Sequence, residues 1–263
     1  MSETSAALTY SSYLALDEVL GSQRPLSHEH DEMLFIVIHQ VYELWFKQLL
    51  HELEHLQRRL EGGDGAHALH TLRRVLTILK VAVAQIDVLE TMTPRQFTSF
   101  RDRLAASSGF QSAQFRRLEA VLGRRDPAAL DPYPQGGDAR AAITAAMSRP
   151  SLFDSFLRYL AHRGYAVPDR LIDRDARKPL ESSAEVRGVL LAAYRDDGEP
   201  AQVAERLVDL DEGLQEWRYR HVKMVERTIG DKAGTGGSSG AGYLRSTLFI
   251  PAFPDLWAVR TEL

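Results

Sequence analysis

Residues 31–60, DEMLFIVIHQVYELWFKQLLHELEHLQRRL, decide the fold class. Leu34, Phe35, Val37, Ile38, Val41, Leu44, Trp45, Leu49 and Leu53 recur at spacings of three and four, the period of an α-helix. The first half of the stretch is apolar almost all round, which predicts a central position. The second half turns polar on one side, which predicts that it emerges towards solvent. The same period extends outward in both directions. Before it, Leu8 to Leu20 carries Tyr10, Tyr13, Leu14, Leu16, Val19 and Leu20, and Gly21 and Pro25 end the segment. After Gly62, Gly63 and Gly65 a third helix is expected over about His67 to Glu90. Thr93-Pro94 gives a cap and a first-turn proline for a short helix ending near Leu104.

Further on, helices are expected over Gln111 to Leu122, Ala139 to Ser148 and Ser151 to Arg163. Arg124 to Asp138, with its prolines and glycines, reads as a loop, and Val167 to Leu180 as irregular. Ser182-x-x-Glu185 has the spacing of a capping box and opens a helix reaching Tyr194. The last long helix runs from about Pro200 to Ile229, with Gly230 as its stop. A strand-length alternation of apolar and polar residues is hard to find. The expectation is an all-α, single-domain helical bundle over residues 1–263.

Composition narrows the function classes. The 263 residues carry 32 Lys and Arg against 36 Asp and Glu, a net charge of −4, which disfavours phosphate-backbone binding and so nucleic acid as a partner. Cysteine is absent, which removes disulfides, zinc-thiolate sites, iron–sulfur clusters, cysteine nucleophiles and thiolate-ligated haem together. A metal must then be held by His, Asp, Glu, Tyr or backbone oxygen. The N-terminal residues show no signal-peptide pattern and no apolar run reaches membrane-spanning length, so a soluble cytoplasmic protein without a membrane partner is expected.

Several motifs carry possible chemistry. His51-Glu52-Leu53-Glu54-His55 matches the zinc-hydrolase pattern H-E-x-x-H, in which two imidazoles four apart share a helix face and the glutamate polarises a bound water. Glu54, Gln57, Arg58 and Arg59 beside it read instead as a solvated face, and a third ligand is not evident. His39 precedes His51 and His55 on the same helix. At about 100° per residue it lies roughly 120° and 160° from them, so it belongs to a different site. Its face carries Glu32, Phe35, Tyr42 and Phe46. His221 follows Leu210, Leu214 and Trp217 and precedes Val225 at spacings of four and three, so its imidazole points where a core should be. A histidine so placed is either a hydrogen-bonded core residue or a metal or haem ligand. Arg101 follows Phe97 by four and could offer its planar fork to a carboxylate, or pair at the surface with Asp102 or Glu90. The stretch Gly234–Gly242, with Thr235, Ser238 and Ser239, lacks the ending of a Walker loop and follows a helix rather than a strand, so it is no dinucleotide fingerprint. It reads as a flexible loop or as a cover over a polar ligand.

Taken in order, these residues resemble the tryptophan 2,3-dioxygenase family. The matching stretches are Leu8-Thr-Tyr-Ser-Ser-Tyr-Leu14, His30-Asp-Glu-Met-Leu-Phe-Ile-Val-Ile-His-Gln40 with Glu43-Leu-Trp45, and Leu89-Glu-Thr-Met-Thr-Pro94 with Phe97 and Phe100-Arg101. Ser108-Gly-Phe-Gln-Ser112, Trp217-Arg-Tyr-Arg-His221, Gly234-Thr-Gly-Gly237 and Tyr243-Leu244 continue the match. The resemblance implies a haem b with His221 as axial iron ligand and Ser108 beside the cofactor, O2 as co-substrate, and L-tryptophan opened at its indole C2=C3 bond to N-formylkynurenine. It makes His39 the distal histidine that bonds the indole N–H, Arg101 the holder of the substrate carboxylate, and Thr235 a partner of the amino-acid head group. Phe35, Phe97 and Leu104 would wall the indole. Tyr10, Tyr13 and Leu14 would reach a neighbouring subunit's pocket, with residues 1–22 exchanged in a homotetramer built as a dimer of dimers. Ile38 and Ile86 depart from the pattern, standing where bacterial relatives often have Gln and a large aromatic. Two other readings are a relative acting on a substituted tryptophan, or inserting one oxygen atom, and the zinc hydrolase built on His51, Glu52 and His55. A helical interaction module with no chemistry is a third.

Overall fold

The computed structural model describes residues 7–104, 107, 109–232 and 241–263, and among them helices and turns are the regular structure, with no strand. In chain order the α-helices are α1 Tyr10–Leu14, α2 Leu16–Leu20, α3 His30–Glu61, α4 Gly65–Leu89, α5 Pro94–Arg101, α6 Ala113–Val121, α7 Asp138–Met147, α8 Leu152–His162, α9 Asp169–Ile172, α10 Ala184–Asp196, α11 Glu199–Ile229, α12 Ala241–Ser246 and α13 Pro254–Ala258. The all-α expectation holds, and the long elements begin and end within a few residues of their predicted bounds.

Three helices of 25 residues or more make the frame: α4 packs against both α3 and α11. Leu53, Leu56 and Leu60 of α3, Leu72 and Val75 of α4, and Val203, Ala204 and Leu207 of α11 are essentially without solvent exposure. Each buried leucine or valine contributes roughly 1.5–3 kcal/mol of transfer free energy. At Gly213 the crossing of α11 over α4 is close: a Cβ there would stand 2.8 Å from Leu79 Cδ2, so a side chain would displace that of Leu79. Arg220 of α11 then pairs with Asp87 and Glu90 of α4, which fixes the register of the C-terminal half.

The caps follow the sequence. Thr93 accepts from the Gln96 N–H while Gln96 reaches back, with Pro94 in the first turn. Gly230 stops α11 at φ 61. One cap is shifted by a residue: Ser183, not Ser182, accepts from the Val186 N–H. Ser182 Oγ is engaged elsewhere, donating to the buried Asp255 at 2.6 Å. The first segment is also not one helix. Ala15 adopts a left-handed conformation at φ 49 and divides it into α1 and α2, neither of which has a buried residue. A helix that short gains too little to stay regular without packing.

The predicted gradient along α3 is reversed. Met33, Val37 and Leu44 in its first half are exposed, whereas Leu49, Leu53, Leu56 and Leu60 in its second half are buried. Even Gln57 is packed, donating to Pro150 O and Ser155 Oγ beside α8. The polar residues of the second half face other helices, which periodicity alone does not register.

Candidate active site

α3, α4, α5, α6 and α11 enclose a cavity lined on one side by Phe35 and His39, on another by Phe97, Arg101 and Leu104, and on a third by Trp217 and His221. The six residues read as site residues from different parts of the chain therefore meet. Ile86, Leu89, Met92 and Phe46 complete an apolar lining.

His39 is held at one nitrogen. Its Nδ1 lies 2.7 Å from the Phe35 carbonyl oxygen one turn earlier, and a carbonyl only accepts, so Nδ1 carries the hydrogen. The neutral ring then has its lone pair on Nε2. Burial pushes the His39 pKa below the ordinary imidazole value, with the Phe35 carbonyl and the Glu43 charge pulling the other way. Phe35 stands at the centre of an aromatic group: its ring centroid is 4.1 Å from that of His39 and 5.7 Å from those of Phe97 and Phe100.

His221 is a different case. Its ring stacks on Trp217 at 5.1 Å and 10°, one turn earlier on α11. Trp217 is wedged in turn between Tyr42, Phe46 and Phe115. No hydrogen bond to either nitrogen of His221 is present among the described residues. Burial, with His39 across the cavity as a lesser cause, holds its pKa down to about 4, so it is neutral at pH 7. What surface it exposes faces the cavity. A neutral imidazole without a hydrogen-bond partner in an apolar wall fits a residue that would hold an iron cofactor and does not fit a satisfied core histidine.

Arg101 ends α5 one turn after Phe97 and lines the same cavity. Glu90, one of the surface partners considered for it, is instead occupied by Arg220 and Arg227. Thr235 and Ser108 lie outside the described residues. Tyr10, Tyr13 and Leu14 are exposed and do not line their own chain's cavity. Ile86 is buried and lines it, whereas Ile38 packs in the core.

The His51–His55 motif builds no metal site. His51 is exposed, Glu52 is buried and takes Gln48 and Arg74, and His55 Nε2 accepts from Arg59 Nε at 3.2 Å. Among the described residues no group of three or more His, Cys, Asp or Glu could hold a metal ion. The motif's turn is not simply a solvated face either, because Glu52 lies inward.

Sequence reading missed the polar end of the cavity. Glu119, buried on α6, receives Arg116 at 2.5 Å, Arg124 at 3.1 Å and Arg218 at 3.1 Å. Burial lowers the Arg218 pKa from its ordinary value, against the pull of Glu119. Arg116 and Glu119 stand at i and i+3, a spacing that ordinarily marks a surface pair. The only signal was Arg218 following Trp217 on the cavity face of α11.

Fold and cavity together define an all-helical protein with two half-buried histidines from separate helices facing one largely apolar pocket, an arrangement suited to an oxidoreductase that holds a cofactor. The family model described as tryptophan 2,3-dioxygenase matches residues 1–136 and 148–263. Proteins named tryptophan 2,3-dioxygenase are 70% identical over 259 residues in Anaeromyxobacter sp. (strain K), covering 98% of this chain and 97% of that one, and 56% identical over 261 residues in Herpetosiphon aurantiacus, covering 98% and 100%. Another from Caulobacter vibrioides is 48% identical over 259 residues, covering 97% and 98%. The chain belongs to the tryptophan 2,3-dioxygenase family.

Proposed function

We propose that this chain is a haem-dependent dioxygenase that opens the indole ring of L-tryptophan to N-formylkynurenine. The observation that carries the reading is the pair of cavity histidines: one imidazole engaged on Nδ1 with Nε2 bare, the other with no hydrogen-bond partner among the described residues. His221 would hold a haem b, which would supply the O2 chemistry for opening the indole C2=C3 bond. His39 Nε2 accepts the indole N–H, which fixes the ring in the plane that chemistry needs. An analogue without that N–H loses about 1–3 kcal/mol. Phe35, Phe97 and Leu104 wall the indole and keep water out. Arg101 holds the carboxylate with its fork, and this end-to-end restraint is a proximity contribution. The family resemblance assigns Thr235 to the head group and Ser108 to the cofactor.

The assembly proposed is a homotetramer, a dimer of dimers. Helices α1 and α2 have no buried residue, and Tyr10 and Tyr13 are 77% and 72% exposed. These residues and Leu14 complete a neighbouring subunit's pocket, with residues 1–22 exchanged and the rest of the chain as one domain. No helix among the described residues is long and apolar enough to cross a membrane, and the cysteine-free chain suits a reducing cytoplasm.

An absorption spectrum of the purified protein and the mass of the product test the reading. A Soret band and a product about 32 mass units heavier than tryptophan support it. Gain of a single oxygen atom transfers the reading to a monooxygenase relative, a substituted substrate to a secondary-metabolism relative. A protein that binds no haem overturns it.

A further inference from the structure

A cavity-facing carboxylate sits one helical turn beyond His39 and takes no part in the functions assigned so far. Glu43 follows His39 by four residues on α3, so the two side chains share a face, and both line the cavity. The carboxylate is held. Gln114, in the first turn of α6, donates from its amide nitrogen to Glu43 Oε2 at 2.9 Å and to the Glu43 main-chain oxygen at 2.8 Å. That turn is itself capped by Ser112, which accepts from the Phe115 N–H at 3.1 Å.

Among the described residues the other charged and titratable groups facing the cavity are Tyr42 from α3, Arg101 from α5, Arg116 and Glu119 from α6, and Arg218 and His221 from α11. Arg116 and Arg218 meet on Glu119. Glu43 is the carboxylate whose charge acts on His39. We propose, on the basis of the dioxygenase reading above, that Glu43 is a positioning residue, set in place by Gln114, which fixes the acid limit of turnover through His39.

The form of His39 that accepts the indole N–H has its hydrogen on Nδ1 and Nε2 bare. A second proton turns Nε2 from acceptor into donor and sets two N–H groups against each other. Burial opposes that proton, while the Phe35 carbonyl and the Glu43 charge favour it. Removing the negative charge therefore delays protonation to lower pH, and the acid side of the activity profile follows it down.

The test is the pH profile of kcat/KM for L-tryptophan with the haem-loaded enzyme, the Soret band being recorded at each pH so that acid release of haem is seen separately. Glu43→Gln is expected to move the acid limb down by about half a pH unit or more, the effect of one nearby charge in a partly screened site. Glu43→Asp, which keeps the charge, moves it less. Gln114→Leu, which frees the carboxylate, moves it in the same direction. An unmoved or upward limb in Glu43→Gln, with haem retained, overturns the proposal. If Glu43→Gln does not take up haem, an unmoved limb in Gln114→Leu overturns it equally. A wild-type protein that forms no dioxygenated product defeats the functional reading itself, before any variant is compared.

Discussion

In the proposed site Arg101 and His39 hold opposite ends of one substrate, and they differ in what their loss strands. A bidentate ion pair in a dry pocket contributes several kcal/mol, and removing the guanidinium leaves a carboxylate desolvated without its partner. Removing the imidazole costs one hydrogen bond, with the aromatic wall around Phe35 still in place. Arg101→Ala is therefore expected to lose at least about ten-fold more kcat/KM for L-tryptophan than His39→Ala, which keeps measurable turnover. Arg101→Lys should be nearly as damaging as Arg101→Ala, since a point charge does not reproduce the fork. Comparing L-tryptophan with indole-3-propionic acid, which keeps the carboxylate and lacks the ammonium, separates Arg101 from Thr235. A smaller loss for Arg101→Ala than for His39→Ala would place the carboxylate's partner elsewhere. His221→Ala is expected to purify largely without haem, read from the ratio of Soret to protein absorbance; a normal ratio removes His221 as the ligand. That these three residues line one cavity was legible through the family resemblance, since their places on apolar helix faces alone left a core histidine or a surface arginine equally open. Glu43, Arg116 and Glu119 were not legible, because charged pairs a turn apart are ordinary on exposed helices and nothing local shows that α6 turns them inward.

At the scale of elements, α8 is tied down by a buried carboxylate. Asp154 accepts from the Ser151 N–H and hydroxyl at its own helix start and from Arg174 at 2.6 and 2.8 Å. Burial alone would raise the Asp154 pKa, but Arg174 and Ser151 outweigh it and hold the group below the usual aspartate value. A carboxyl depressed in the folded state contributes stability above the unfolded pKa of about 4, and that stability is lost as pH falls through the folded value. Asp154→Asn is expected to cost about 3 kcal/mol in denaturant unfolding at neutral pH. Its stability should also fall less steeply than the wild type's below about pH 4. Equal slopes in the two proteins count against this account. The decoy motif makes the opposite prediction: His51→Ala with His55→Ala leaves haem content and turnover within a few-fold of wild type, and a zinc-restorable loss of activity contradicts it. Helix starts such as Thr93-Pro94 were legible because the cap needs only local residues. The Ser182 spacing misled by one position, since a long-range partner, Asp255, claimed that hydroxyl.

For the whole molecule, the exposed apolar residues have a pattern. Met33, Val37 and Leu44 lie along one face of α3, and Val81 and Val88 along one face of α4. Gln85 and Arg74, on that same face of α4, bond across to Ile38 O and Glu52 of α3. The all-apolar first half of α3 predicted a burial that the chain's own fold does not give Met33, Val37 and Leu44, because periodicity shows that a face is apolar and not what covers it. Contiguous apolar faces of this kind mark association surfaces. In the proposed tetramer the N-terminal segment links assembly to the pocket. Tyr10 and Tyr13 are largely exposed and their helix has no buried residue, so in the proposed tetramer their packing free energy is gained between subunits. Deleting residues 1–20 is expected to raise KM for tryptophan and to weaken the oligomer together, with α3 and α4 still folded. Sedimentation velocity at several concentrations and steady-state kinetics of the same preparation check both halves. A truncated protein that is monomeric yet keeps wild-type KM would show that each pocket is complete within one chain. A truncated tetramer with raised KM would instead assign assembly to the α3–α4 face and leave the N-terminal tyrosines with the pocket alone.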